Sequence, residues 1–267
     1  MTQTVDSIEK FDTDYHPPLG LRTRGTVVVV PGRGETRAAY RRLGARLAAD
    51  AYRVRVVDPP SVDPADLPGS LAALAGSIDE ALDGASSDDG LVRPLVVVAA
   101  DSGAAAVAAL LARGDRLSSW WPDAVVLAGL PGHAAATSGG GWEDELDVRT
   151  TCVVHRGVLA EHGERGALDV PLPDALLDAA YASTLDLPQL ILVGDADPLA
   201  DRPALARTAA SLAQARLSVV RGAHHDVLND QQHRSVAAEI VTFLEALRQG
   251  SSIEELVPVI AVESSAW

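Results

Sequence analysis

The chain alternates between short runs of β-branched residues and longer segments in which apolar residues recur at helical spacing. Six of the short runs predict strands: Thr26–Pro31, Tyr52–Val57, Leu95–Ala100, Ala124–Ala128, Gln189–Val193 and Leu217–Val220. Two apolar stripes predict helices that each face a sheet: Leu71, Leu74, Ile78 and Leu82, and Val236, Ile240, Phe243, Leu244 and Leu247. This alternation is typical of an α/β fold with a largely parallel sheet of about six strands and helices on both faces.

The strand pattern is interrupted between residues 132 and 187, where glycines, prolines and short helical fragments replace it. We expect this segment to be a small insertion over the carboxyl ends of the strands, where open α/β sheets bind ligands, and therefore a candidate lid. The predicted core then comprises residues 25–131 and 188–248, with an N-terminal extension at 1–24 and a C-terminal tail at 249–267. A chain of 267 residues suits one such domain with a large core.

Composition narrows the classes of partner. The formal net charge of −15 disfavours nucleic acid and anionic membrane surfaces, because both attract basic proteins. No apolar run approaches the roughly 20 residues that span a bilayer, and the first residues lack the features of a signal peptide. Together with a single cysteine, Cys152, these features predict a cytoplasmic protein without an internal disulfide. We expect a small-molecule substrate and no cofactor, and nothing in the pattern predicts an oligomeric state.

The segment from Pro94 to Ala112 reads as a buried strand, a sharp turn and an alanine-rich helix. This is the shape of a nucleophile elbow, in which the nucleophile sits at a strained apex between small residues. Two residues fit the apex. Asp101 has small residues two positions away on both sides, including Gly103, and Ser102 is flanked in the same way by two alanines.

Three further segments resemble the α/β-hydrolase superfamily and, within it, the monoacylglycerol lipase and lysophospholipase branch. The loop Pro31–Glu35, PGRGE, resembles the Gly-x-Gly-Glu oxyanion loop of that branch, with proline in place of the usual histidine. The segment Leu190–Pro198, LILVGDADP, resembles the strand end that carries the acid of the catalytic triad, and Gly222–Asp230, GAHHDVLND, resembles the histidine loop. The resemblance covers most of the chain and implies an α/β-hydrolase fold.

The resemblance implies a triad in which Asp197 is the acid and His225 the base, with Asp195 as the weaker candidate for the acid. The order of nucleophile, acid and histidine along the chain is the order of this superfamily. The chemistry supports the same roles. A histidine can exchange a proton near neutral pH, and a carboxylate on its other nitrogen fixes the tautomer and stabilises the imidazolium.

The resemblance also implies an oxyanion hole built on the loop that contains Gly32 and Arg33. The backbone N–H of Arg33 would be one donor, and the residue after the nucleophile would supply the second, which is Gly103 if Ser102 is the nucleophile. We expect the Arg33 side chain to be exposed to solvent; an inward orientation would suit a substrate carboxylate or phosphate. Glu35 either hydrogen-bonds within the loop or favours the positive end of the following helix.

The two apex candidates predict different reactions. Asp101 would attack an alkyl carbon and form an ester intermediate, as in epoxide hydrolases and haloalkane dehalogenases, whereas Ser102 would form an acyl-enzyme. Serine is the commoner nucleophile in this superfamily, but the register of the strand favours Asp101. We predict a hydrolase that works through a covalent intermediate, and a small carboxylic ester is the favoured substrate. The Asp101 chemistry and a non-hydrolytic catalyst or ligand-binding protein are the alternatives.

Other polar and aromatic residues carry weaker signals. The run from His224 to Asp226 matches no familiar ligand spacing, so no metal site is predicted. The five histidines outside this run, His155 among them, are expected at the surface or in the lid. Trp142 and Tyr181 of the candidate lid either line a pocket or anchor the insertion to the core.

Overall fold

The computed structural model describes residues 14–85, 90–114, 120–133 and 139–250. Within them, seven strands form one sheet: β1 (Asp14–Tyr15), β2 (Gly25–Val30), β3 (Tyr52–Val56), β4 (Leu95–Ala100), β5 (Ala124–Ala128), β6 (Gln189–Gly194) and β7 (Ala215–Val220). Their order across the sheet is β1-β3-β2-β4-β5-β6-β7. Only the β1–β3 pair is antiparallel; the other neighbouring strands are parallel, which confirms the predicted sheet.

Helices cover both faces of the sheet. They are α1 (Arg41–Ala49), α2 (Leu67–Asp83), α3 (Asp101–Ala112), α4 (Trp142–Arg149), α5 (Val153–His162), α6 (Asp174–Tyr181), α7 (Arg202–Ser211) and α8 (His233–Arg248). Short 3-10 helices span Arg37–Tyr40 and Ala167–Asp169. None of the helices in the described residues is long and apolar enough to cross a membrane.

The central strands are buried on both faces, which explains why they read as continuous apolar runs. In β2, Val27 and Val29 pack with residues of α1 and α8, whereas Val28 and Val30 pack with residues of α2, α3 and α6. Both predicted helical stripes face these two cores. All their residues are buried except Leu247, which is half-buried.

The pattern of the sequence missed β1, whose two residues fall within the predicted N-terminal extension. A strand this short has no periodicity to detect. The Asp14 carboxylate accepts hydrogen bonds from Arg53 Nε at 2.6 Å and Arg55 Nη1 at 2.7 Å, both on β3, and Tyr15 is buried. Ion pairs to the neighbouring strand therefore hold this edge, rather than an apolar repeat. Residues 1–13 of the predicted extension and 251–267 of the predicted tail lie outside the described residues.

The predicted insertion contains α4, α5, the second 3-10 helix and α6, which lie in the chain between β5 and β6. Its helix α6 packs on α3 through Leu176, Leu177 and Ala180, which belong to the same hydrophobic core as the alanines of α3. The insertion is thereby attached directly behind the elbow. Its boundaries at 132 and 187 stay a prediction.

The first turn of α3 lies against the end of β2, and Gly103 makes this contact possible. A Cβ at this position would lie 2.5 Å from the Pro31 carbonyl oxygen and 2.8 Å from the Val30 carbonyl oxygen. We expect Gly103→Ala to lower the free energy of unfolding by about 3 kcal/mol, because backbone atoms cannot easily yield to the added methyl group.

Chemical denaturation measures this effect. The matched control is Gly76→Ala in α2, where a Cβ would have no neighbour within 4 Å and should stabilise the protein by about 0.5–1 kcal/mol. Equal effects of the two substitutions would contradict the close approach at Gly103.

Candidate active site

Strand β4 passes into α3 without a loop, and Asp101 is the residue at the turn. Its φ of +45° is in the left-handed region, which only one other non-glycine residue in the described part of the chain adopts, Ala51. Such backbone strain costs about 1–3 kcal/mol and concentrates at functional positions. The loop after β2 approaches closely because position 32 is glycine, where a Cβ would lie 2.7 Å from the Cβ of Asp101.

The side chains of Asp101, His225 and Asp197 meet at the carboxyl edge of the sheet, after β4, β7 and β6 respectively. His225 Nε2 lies 3.1 Å from Asp101 Oδ1, and His225 Nδ1 lies 3.0 Å from Asp197 Oδ2. All three residues are buried. Asp195, the weaker candidate for the acid, instead accepts a hydrogen bond from the backbone N–H of Gly222 at 2.6 Å.

Ser102, the other candidate for the apex, makes no hydrogen bond to His225. It is buried, and its Oγ has no hydrogen-bond partner among the described residues. The nitrogen of His225 that a serine nucleophile would need is hydrogen-bonded to Asp101. The structure therefore brings Asp101, and not Ser102, to the histidine.

Arg33 donates three hydrogen bonds to the Asp101 carboxylate. Its backbone N–H donates to Oδ2 at 2.8 Å, its Nε donates to the same oxygen at 2.9 Å, and its Nη2 donates to Oδ1 at 2.8 Å. The expectation that this side chain is exposed is wrong, because a buried carboxylate at the apex needs a nearby positive charge. The remaining nitrogen, Nη1, donates to the carbonyl oxygen of Val170 in the insertion at 2.6 Å.

Neighbouring charges shift the pKa values of Asp101 and His225. Burial alone would raise the pKa of Asp101, but Arg33 and His225 hold it well below its usual range. Burial alone would lower the pKa of His225, but the carboxylates of Asp197 and Asp101 raise it to about 10. The surroundings of His225 therefore favour its protonated form, and the Arg33 guanidinium favours the ionised form of Asp101.

Comparisons with known proteins agree with this geometry at the level of the fold. No protein-family model matches the chain, and no curated protein matches it significantly. Among solved structures, it is similar to a monoglyceride lipase from Saccharomyces cerevisiae in complex with a substrate analog, at 12% identity over 87% of this chain and 90% of that one, with a TM-score of 0.64.

A monoacylglycerol lipase from Paleococcus ferrophilus matches at 17% identity over 89% and 98% of the two chains, with a TM-score of 0.63. The carboxylesterase CesB from Bacillus subtilis matches at 14% identity over 86% of each, with a TM-score of 0.59. The chain has the α/β-hydrolase fold. The resemblance inferred from the motifs is thereby confirmed for the architecture.

Behind the loop that contains Gly32 and Arg33 lies a second group of buried polar residues. Glu35 Oε2 accepts hydrogen bonds from the Gly32 backbone N–H at 3.0 Å and from the Tyr40 hydroxyl, so Glu35 bonds within the loop, as one of the two interpretations expected. Arg149 Nη2 donates to the Arg33 carbonyl oxygen at 2.7 Å and to Glu145 Oε1 at 2.8 Å. Arg149 thus holds the Arg33–Gly34 peptide, which directly follows the peptide that presents the Arg33 N–H, a role for which the sequence carries no signal.

His155 belongs to the same buried group. It is only 1% exposed, and its Nε2 lies 2.8 Å from Asp226 Oδ2. It lies in the insertion, one of the two expected places, and packing of α5 against the core buries it opposite this carboxylate. The side chains of the run from His224 to Asp226 diverge: His224 pairs with Asp230 at 3.1 Å, whereas His225 lies between Asp101 and Asp197.

Glu35, His155 and Asp226 offer ligand atoms that all lie within 4.8 Å of one another. Arg149 Nη1 lies 3.5 Å from Asp226 Oδ1, so a guanidinium already supplies positive charge to this group. The absence of a metal site stays a prediction.

A cavity of about 60 Å³ adjoins Arg33 on the side of the insertion. Its lining is mostly apolar and includes Pro131, Leu168 and Leu172. Tyr181 lies nearby and donates its hydroxyl to the Pro131 carbonyl oxygen at 3.2 Å. Trp142 contacts the guanidinium of Arg165 at 5.3 Å from its ring centroid, which ties two parts of the insertion together.

A much larger open groove, of about 1130 Å³, lies at the opposite edge of the sheet and includes Arg24 and Arg93, which precede β2 and β4. It is distant from the carboxyl ends of the strands, where Asp101, Asp197 and His225 meet.

Proposed function

We propose that the chain is a hydrolase in which Asp101 is the nucleophile, His225 the general base and Asp197 the residue that orients this base. One observation carries the proposal. Asp101 lies at the strained apex with Oδ1 3.1 Å from His225 Nε2, while Oδ2 accepts the Arg33 backbone N–H at 2.8 Å. One carboxylate oxygen can thus attack while the other already lies in the oxyanion hole.

The first step would be attack of Oδ1 on an electrophilic alkyl carbon, with departure of a halide or opening of an epoxide. Asp101 then becomes an uncharged ester whose carbonyl oxygen, Oδ2, stays hydrogen-bonded to Arg33. Because one of the two carboxylates that raise the pKa of His225 has lost its charge, that pKa falls. His225 can then release its proton and serve as the base for hydrolysis.

The same site supports a role of residues 132–187 as a lid. Asp101 and His225 are only 4% and 2% exposed. A substrate would therefore reach them only after the lid, residues 132–187, moves. The bond from Arg33 Nη1 to the Val170 carbonyl oxygen is one contact that must break. The adjoining cavity of about 60 Å³ favours substrates with few heavy atoms.

Hydrolysis of a carboxylic ester, the reaction expected first from the sequence, is the second candidate. It is supported by the similar structures, which include monoglyceride lipases and a carboxylesterase. This reaction would follow the acyl-enzyme route if Ser102 turned its Oγ toward His225.

Turnover in H₂¹⁸O distinguishes the two routes. The protein is incubated with bromoacetate, propylene oxide and 4-nitrophenyl acetate, and the peptide that contains Asp101 is analysed by mass spectrometry. We expect this peptide to gain ¹⁸O during turnover of an alkyl substrate, because water attacks Asp101 Cγ and leaves its oxygen in the carboxylate. Label found only in released acetate would support the acyl-enzyme route, and no turnover of any probe would contradict a hydrolase.

A further inference from the structure

A second cavity, of about 10 Å³, lies beside the triad on the side of the oxyanion loop. Asp101, His225, Glu35 and Asn229 all contribute to its lining. A cavity needs about 10–15 Å³ to hold one water molecule, and the water needs polar partners. The cavity thus has room for a single water between the reacting groups and a buried polar pair.

Asn229 supplies the first of these partners. The residue is 1% exposed, and its Oδ1 is buried without a hydrogen-bond partner among the described residues. Its Nδ2 faces Glu35 Oε1 at 3.5 Å, so the amide nitrogen is directed to the carboxylate and the oxygen is left over. Leaving such an acceptor unsatisfied costs about 1–3 kcal/mol, which a water in the cavity would offset.

Glu35 supplies the second partner. Its Oε2 is occupied by the Gly32 N–H and the Tyr40 hydroxyl. Its Oε1 has only long contacts, at 3.5 Å to Asn229 Nδ2 and 3.9 Å to His155 Nε2, and can accept a further hydrogen. In the resting site a water can donate to both Asn229 Oδ1 and Glu35 Oε1. Once His225 is neutral, the water can turn one of these hydrogens to His225 Nε2 and keep the other hydrogen bond, with a lone pair toward Asp101.

We propose that Asn229 and Glu35 hold one water molecule in this cavity and that this water hydrolyses the ester formed on Asp101. The inference rests on the proposed function for the reaction but not for the water site. In the step, the water oxygen bonds to Asp101 Cγ and one of its protons moves to His225 Nε2. The bond from Cγ to the oxygen that carries the substrate carbon then breaks, and the alcohol leaves with that proton. The second proton of the water passes from the new Asp101 carboxyl group to His225, so Asp101 regains its carboxylate and His225 its resting proton.

Crystal structures of the resting wild-type protein and of Asn229→Leu test the water site without any substrate. Leucine has the branched shape and the number of heavy atoms of asparagine but no hydrogen-bond acceptor. We expect an ordered water within hydrogen-bond distance of Asn229 Oδ1 and Glu35 Oε1 in the wild type and its loss in the variant. An empty cavity, or a metal ion at this position, would overturn the proposal.

Single-turnover kinetics with bromoacetate and propylene oxide test the role in hydrolysis, with the covalent adduct followed by mass spectrometry. For Asn229→Leu we expect formation of the adduct at the wild-type rate and its decay about 10²-fold more slowly, because a misplaced water and not a missing base limits the step. Adduct decay at the wild-type rate would overturn the catalytic role of this water.

The matched control is Ser183→Ala. Like Asn229 Oδ1, the Ser183 hydroxyl is buried without a hydrogen-bond partner in the described residues, but Ser183 does not line the cavity. It should leave both rates unchanged. If the wild-type protein forms no adduct, the proposed function fails, while the crystal structures still decide whether the cavity binds water.

Discussion

Replacing Asp101 with asparagine is expected to lower kcat/KM by about 10⁴-fold or more, because an amide cannot take the place of the carboxylate that forms the ester. Ser102→Ala is expected to retain activity within a few-fold. Its Oγ has no partner in the described residues, and the histidine that would activate it is bonded to Asp101. The pair of neighbouring substitutions therefore separates the two readings of the elbow.

Steady-state turnover of bromoacetate, propylene oxide and 4-nitrophenyl acetate measures both variants. Circular dichroism and denaturation must accompany it, because Asp101→Asn leaves the buried Arg33 guanidinium without its carboxylate, and breaking a buried ion pair destabilises proteins by about 3–5 kcal/mol. Activity that survives in Asp101→Asn and disappears in Ser102→Ala would transfer the nucleophile to Ser102 and the reaction to acyl transfer.

The fold could be predicted from the sequence largely because four strands, β2, β4, β5 and β6, are buried on both faces. Such strands appear as uninterrupted β-branched runs, and all six predicted strands lie within one or two residues of their observed ends. The exception, β1, has two residues, and its Asp14 depends on pairing with Arg53 and Arg55 almost forty positions along the chain. An ion pair of this kind leaves no local pattern.

The candidate site was only partly predictable, for a related reason. Asp197 and His225 lie in loops with recognisable local motifs, and the structure brings them together at 3.0 Å. The apex stayed open because both Asp101 and Ser102 have small flanking residues, so only the backbone conformation distinguishes them. The Arg33 side chain turns inward because its partner, Asp101, is buried. The residues next to Arg33 in the sequence carry no sign of this pairing.

Of the buried group behind the loop, only the bonding of Glu35 was among the interpretations of the sequence. Arg149 bonds to the carbonyl of Arg33, and His155 bonds to Asp226, across separations of 116 and 71 positions. Their signal, a charged or polar residue within a helix of the insertion, is the same as that of a solvated helical face. Only the packing of the insertion on the core distinguishes the two.

His225→Gln is expected to trap the covalent ester. In the proposed mechanism Asp101 attacks as a carboxylate that Arg33 holds ionised, so the first step does not need a neutral histidine. Hydrolysis does need it, because a base must take the proton of the attacking water, and loss of this base should slow the step by about 10²–10⁴-fold. The variant should therefore accumulate one adduct per chain from bromoacetate or propylene oxide, visible by intact mass and located at Asp101 by peptide mapping.

The matched control is His16→Gln, at an exposed histidine directly after the outermost strand β1. This variant should turn over both probes without accumulating an adduct. An adduct on Ser102, which would be an ether, would instead identify Ser102 as the nucleophile. Loss of turnover without any adduct would mean that His225 acts in the first step, as an acid from its protonated resting form, since the two carboxylates raise its pKa to about 10. Accumulation of the ester in His225→Gln thus tests whether His225 acts as a base only after Asp101 has lost its negative charge in the ester.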